Sequence, residues 1–290
     1  MEPVDLLVVG GSGFVGAKLV ATALQAGRST AYTYAHHPLQ LAAAAYRVCM
    51  PDERALAACI AEVRPRGIVY CAVPNPGSDR PEHEAVSVEG IRQVLAALAD
   101  WECRLVYVST NAVFSGKAGP YREDALPDPE GMRDYYRTYA LTRAMGEQIA
   151  LAGWEDVIVA RTADVNGWDV NGQLNPRLVS IVEQLKAGTT IMRLSQAFIT
   201  PTLVDNLADC LLEISSPDFH YRGVLHLAGG EQISYYDFAR MIARGVQADE
   251  GLIQADTSRS WNIGLESLHT QRILSTRLLG VKAQIDRIFT

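Results

Sequence analysis

Tyr139 and Arg143 stand four residues apart in a helix-like run that continues through Met145, Ile149 and Leu151, so one helical face would present both. Far upstream, residues 104–111 read as an apolar strand ending on hydroxyls at Ser109 and Thr110. A hydroxyl, a phenol and a fixed cation match what reduction of a carbonyl demands. The Tyr139 phenol would supply the proton and Thr110 would steady the carbonyl oxygen. Arg143 would favour the phenolate and grip a ribose. A free tyrosine titrates near ~10, so a neighbouring cation is needed to bring it toward neutrality. Arginine keeps that charge but cannot release a proton to a relay. The competing reading is an ordinary helical pair with a surface cation.

Hydride chemistry needs a dinucleotide, and the first residues offer a seat for one. Leu6-Leu7-Val8-Val9 runs into Gly10-Gly11-Ser12-Gly13-Phe14-Val15-Gly16, followed by a helix-compatible run over 17–26. Strand, glycine turn and helix N-terminus, in that order, present backbone N–H groups and a helix dipole to a pyrophosphate. Gly10 would permit the sharp turn, Gly13 the approach of phosphate, and Gly16 the close packing of helix on strand. Ser12, Phe14 and Val15 belong to the same seat. Ala72 and Val73, where the strand at 68–72 gives out, would border the cofactor. A strand-to-helix turn without a ligand is the alternative.

The second strand ends Tyr32-Thr33-Tyr34-Ala35-His36-His37-Pro38, with no carboxylate to repel a 2′-phosphate. His36 and His37 could donate hydrogen bonds to one, so NADPH is expected, with NADH allowed. They otherwise read as exposed polar residues of a loop. Adjacent histidines rarely converge on one ion, and no metal is expected. His83, His220, His226 and His269 have no catalytic partner recognisable in the sequence. His226, in an apolar run, reads as a core residue.

The elements that must position these groups alternate. Residues 6–9, 30–34, 68–72, 104–109 and 157–161 read as short buried strands. Residues 17–26, 53–63, 82–99 and 139–151 read as helices between them, the pattern of an α/β doubly wound parallel sheet. The alanines at 42–45 are explained by helix propensity. Residues 74–81, with three prolines, should form a loop over the cofactor or a plain connection. The irregular stretch 115–134 should shape a substrate pocket. Residues 1–165 would form the dinucleotide-binding domain and 166–290 mainly a substrate lobe, the chain returning to the first near 200–216 and 223–229.

On residues 10–16, 109–116, 139–147, 198–205, 223–231 and 234–239 the chain resembles the extended short-chain dehydrogenase/reductases, and within them it is most similar to the dTDP-4-dehydrorhamnose reductase group. The resemblance implies a Rossmann domain with an interleaved lobe and reduction of a keto group on a nucleotide-linked (deoxy)sugar. It also implies substrate contacts at Asn111, Asp164 and Thr200. The chain departs from the group at several of these places. Arg143 stands where the family has lysine, and Asn111-Ala112 stands for its aspartate-tyrosine. Asp164 replaces an aromatic, while Cys49 and Ser87 replace an aspartate and an asparagine. A wider pocket carrying a carboxylate should follow. The alternative is an NADP(H)-binding sensor or regulatory protein; an epimerase or dehydratase fits less well, and a dehydratase would want an acidic pair beside Thr110 that Asn111-Ala112 does not give.

The 290 residues allow a sizeable core, and a net charge of −7 with no dense basic run argues against a nucleic-acid partner. Five scattered cysteines without a C-x-x-C spacing indicate free thiols in a reducing compartment. No apolar stretch reaches membrane-spanning length and no leader pattern opens the chain, so a cytoplasmic location is expected. A homodimer is allowed, since exposed helices of such sheets often pair.

Overall fold

The computed structural model describes residues 2–75, 77–98, 101–131 and 134–290. Along the first half the chain forms β1 (Leu6–Val9), α1 (Phe14–Gln25), β2 (Thr30–Tyr34), β3 (Ala44–Arg47), α2 (Glu53–Val63) and β4 (Gly67–Tyr70). It continues with α3 (Arg80–Glu84), a π-helical turn at Ala85–Glu89, α4 (Gly90–Ala97), β5 (Arg104–Thr110), α5 (Asp134–Gly153) and β6 (Val157–Thr162). The second half adds β7 (Val165–Asn166), α6 (Pro176–Lys186), β8 (Ile191–Ile199), β9 (Thr202–Leu203), α7 (Val204–Ile214) and β10 (Gly223–His226). β11 (Ile233–Ser234), α8 (Tyr235–Gly245), β12 (Ile253–Asn262), α9 (Leu268–Ile273) and α10 (Val281–Phe289) follow.

The central sheet has seven strands in the order β10-β6-β5-β4-β1-β2-β3, every pair parallel. Because both faces are covered, successive side chains of one strand enter different cores. Leu6 and Val8 of β1 pack with Leu19, Val20, Leu207 and Leu211 on one face. Leu7 and Val9 pack with Ile60, Val63, Ile91 and Val94 on the other. That is why these strands are near-continuous apolar runs without alternation. The order reverses between β1 and β4, which places a crevice outside the carboxyl ends of the strands.

Two expectations change. The alanines at 44 and 45 belong to strand β3, paired in register with Ala31 and Tyr32 of β2. Pairing along an open sheet edge overrides their helix propensity. The helix expected over 82–99 forms over 80–97, but with a π-turn between α3 and α4, a type of irregularity frequent at functional sites. The proline-rich stretch after β4 is irregular up to α3, with Pro76 outside the described residues.

The second half threads in and out of the sheet. α7 packs on α1, and β10 adds the outer strand beside β6. A separate core of Leu178, Ile181, Ile199, Phe238, Ile242, Val281 and Ile285 fills a smaller lobe around the β11-β8-β12 sheet. Four cysteines are buried and Cys49 is exposed, all as free thiols. His226 is buried; burial, and then Arg161, hold its imidazole down to about 4, and its Nδ1 meets the Glu266 carbonyl at 2.9 Å. Among the described residues no helix is long and apolar enough to cross a membrane.

Candidate active site

The glycine turn sits between β1 and α1 at the crevice. Gly10 adopts φ +78°, and a Cβ there would lie 2.6 Å from the Ala72 Cα, so only glycine lets the turn rest on the end of β4. A Cβ on Gly16 would strike the Gly10 carbonyl, so the start of α1 can lie on the turn only without one. Gly13 caps α1 with no side-chain hydrogen bond, and no acidic residue stands in the first turn. The N–H groups there are thus uncapped by any side chain and meet no anion, which fits a pyrophosphate. Ser12, Phe14 and Val15 are in place on this turn, and Ala72 lies under it; Val73 is well exposed beyond.

His36 and His37 are exposed just past β2. Beside them stands a cation that the sequence did not reveal. Arg47 pairs in register with Tyr34, and its Nε lies 3.4 Å from the Ala35 carbonyl. Only the pairing of β3 with β2 brings it there, so reading 42–45 as helix-prone hid it.

α5 lays one stripe, Tyr139, Arg143 and Glu147, against β5 and the turn after it. Tyr139 is half-buried at the head of the stripe. Arg143 is 1% exposed, and its guanidinium faces the interior. It donates to the Ala72 carbonyl at 3.1 Å and to the Val108 carbonyl, and it stacks over the Tyr107 ring at 4.5 Å. Burial disfavours its charge, but Tyr107, Tyr139, Tyr70 and Glu147 outweigh that and raise its pKa. The side chain expected on a ribose is therefore engaged with the ends of β4 and β5.

Glu147, the third member of the stripe, is buried with Arg161 of β6. Arg161 reaches its carboxylate through Nη2 at 2.8 Å and Nε at 3.1 Å, and Ser109 donates to it at 2.5 Å. The Arg161 guanidinium also covers Phe114 at 5.0 Å and donates to the Ala125 carbonyl at 3.1 Å. This network fixes the carboxyl ends of β5 and β6 to α5. The sequence signal for it was Arg161 near the end of an apolar strand, a charge that needs a partner once buried.

Thr110 is half-buried at the end of β5, where its Oγ1 accepts from the Ala112 N–H at 3.1 Å. Asn111 beside it is buried, donating to the Ile263 carbonyl at 3.2 Å and toward Asp164 at 3.5 Å. Asp164 follows β6 in the left-handed region, φ +41°, with Arg177 at 3.7 Å and Tyr235 as a further hydrogen-bond partner. Burial raises its carboxyl pKa against the pull of Arg177, Asn111 and Tyr235. Strained backbone of this kind persists where its surroundings over-determine it, and it clusters at binding sites. Thr110, Asn111 and Asp164 are thus brought together. Thr200 is fully buried, its hydroxyl joined to the main chain of Leu265 at 2.9 Å, so it stiffens the wall behind them.

The loop 115–131 follows the turn after β5 and is tied to the segment after β12. Phe114 and Tyr121 stack at 4.0 Å, and Tyr121 exchanges main-chain bonds with Gly264 and Glu266 of the smaller lobe at 2.8 and 2.7 Å. No cluster of three or more metal-ligating side chains occurs among the described residues.

Residues 4–267 match the family described as RmlD substrate binding domain. A dTDP-4-dehydrorhamnose reductase of Mycobacterium tuberculosis is 29% identical over 251 residues, covering 84% of this chain and 76% of that protein. Methionine adenosyltransferase 2 subunit beta of Xenopus laevis is 28% identical over 236 residues, covering 74% of this chain and 67% of that protein. Among solved structures, a dTDP-4-dehydrorhamnose reductase from Bacillus anthracis in complex with NADP aligns over 99% of both chains, with a TM-score of 0.80 at 18% identity. That likeness speaks to the fold, which is one used by NAD(P)-binding oxidoreductases.

Proposed function

Since the chain belongs to the RmlD substrate binding domain family of extended short-chain dehydrogenase/reductases, we propose that it reduces the keto group of a nucleotide-linked sugar with NADPH. The observation that carries this reading is the placement of Thr110 and Tyr139 on β5 and the helix packed against it, in the sheet whose crevice also holds the uncapped start of α1. NADPH, when bound on the Gly10–Gly16 turn, supplies hydride to the carbonyl carbon. The Thr110 hydroxyl donates to the carbonyl oxygen, and Tyr139 gives it the proton as charge develops there. Asn111, Asp164 and Arg177 offer donors and acceptors to sugar hydroxyls. The test is NADPH oxidation with a panel of nucleotide-linked ketosugars; binding of NADPH with substrate-dependent oxidation supports the proposal, and failure to bind either cofactor overturns it.

Arg47 underlies the choice of NADPH. It stands beside the end of β2, where a fixed cation accommodates a 2′-phosphate. Arg47→Ala is expected to weaken NADPH by about tenfold, the loss of one charge-assisted hydrogen bond, and to leave NADH unchanged. Fluorescence titration of both cofactors checks this.

One observation favours a second reading, an NADP(H)-binding regulatory protein with little catalysis. Arg143 is held by the Ala72 and Val108 carbonyls and cannot move a proton. Binding without turnover, by the wild type and by Arg143→Lys alike, would favour this reading.

A further inference from the structure

We propose that His83 is the proton conduit for Tyr139, returning to its phenolate, from solvent, the proton spent on each substrate. This rests on the reductase reading above.

Each reduction breaks the Tyr139 O–H bond and leaves its proton on the substrate oxygen, so a phenolate must be refilled before the next turnover. Arg143, one turn along α5, is not a source. Its guanidinium stays charged at any working pH, and it is enclosed at 1% exposure against two carbonyls and the Tyr107 ring. The group that does face Tyr139 is an imidazole. The rings of His83, on α3, and Tyr139 meet in a T-shaped arrangement, with centroids 6.1 Å apart and an interplanar angle of 73°. It is 7% exposed, and its Nδ1 is buried with no hydrogen-bond partner among the described residues.

A bare ring nitrogen in the interior costs free energy, and because the ring that carries it lies against the ring of a proton donor, protons passing through it would explain it. The surroundings suit a neutral shuttle. Burial lowers the His83 pKa, while Glu82 and Asp79 on its own side pull it upward. Tyr139 is the titratable group that α5 turns toward it, with Arg143 one turn beyond. The π-turn that continues α3 brings only Ser87 among its buried residues with a polar side chain. A neutral imidazole takes a proton on one nitrogen as it releases one from the other. One proton therefore enters from the solvent side near Asp79 and Glu82, one leaves toward the phenolate, and the ring ends as its other tautomer. Rotation of the ring, which exchanges its two nitrogens, restores the donor for the next turnover.

The test compares His83→Phe, which keeps a ring against Tyr139 but carries no proton, with His83→Ala in added imidazole. Single-turnover hydride transfer should survive in His83→Phe, while steady-state kcat falls by about 10²-fold. Imidazole should restore part of the rate in His83→Ala, with a pH profile that follows the added base. Wild-type kcat and pH profile in His83→Phe would overturn the proposal, as would a loss in His83→Ala that imidazole leaves untouched. A second readout needs no substrate. The rate at which the Tyr139 phenolate regains its proton after a downward pH jump, read as absorbance of wild type minus Tyr139→Phe, should fall in the His83→Phe background, and an unchanged rate counts against His83. If the wild type reduces no ketosugar, the reductase reading falls, and this relaxation rate alone then decides whether protons reach Tyr139 through His83.

Discussion

Tyr139→Phe is expected to lower kcat by about 10²–10⁴-fold while NADPH binding and the melting temperature stay where they are. The substitution deletes one oxygen from a half-buried ring and leaves the T-shaped packing against His83 intact. Hydride arriving at a carbonyl carbon makes an alkoxide, and without a donor at that position the charge has only Thr110 to meet it. The loss should therefore fall on kcat and kcat/KM alike, the signature of an interaction made in the transition state. Steady-state kinetics with cofactor titration and a thermal melt checks all three quantities. A variant that keeps turnover would remove Tyr139 from the chemistry.

The second large effect is on stability. Glu147→Ala should cost about 3–5 kcal/mol, a major share of the total for an ordinary domain. It leaves the Arg161 guanidinium, 3% exposed, without its carboxylate, and it strips Ser109 of its acceptor. Replacing both charges, Glu147→Leu with Arg161→Met, should recover much of that cost, because no uncompensated ion remains. Denaturant unfolding of the two singles and the double closes the cycle. A single that costs under about 1 kcal/mol would show that water or a neighbour compensates the bare cation.

How far the chain could be read from its residues depended on the range of the interaction. The turn at Gly10 and the strands at β1, β4 and β5 were legible because local composition and the glycine spacing constrain them. β3 was not, since Ala44 and Ala45 become strand only by pairing with β2. That misreading concealed Arg47, whose place is a property of the pairing. The helix face carrying Tyr139 and Arg143 followed from spacing, but spacing does not say which way a long side chain turns. The inward turn of Arg143 is decided by the Tyr107 ring, by the Val108 carbonyl of β5 and by the Ala72 carbonyl just past β4, contributed from more than thirty residues away. His83 carried no pattern at all; its partner lies on a helix that reaches it only through tertiary packing.

The late arrival of β10 bears on how the protein is made. When residues 1–165 have left the ribosome, six of the seven parallel strands exist, yet α1 still lacks Leu207 and Leu211 of α7 against it. The outer edge of β6 is also unpaired until Gly223–His226 is synthesised. A nascent chain therefore carries an open sheet edge and a bare apolar helix face across some sixty further residues of translation, the period in which it is exposed to aggregation and in need of chaperones. Cutting the gene at the apparent boundary between lobes would make that transient state permanent.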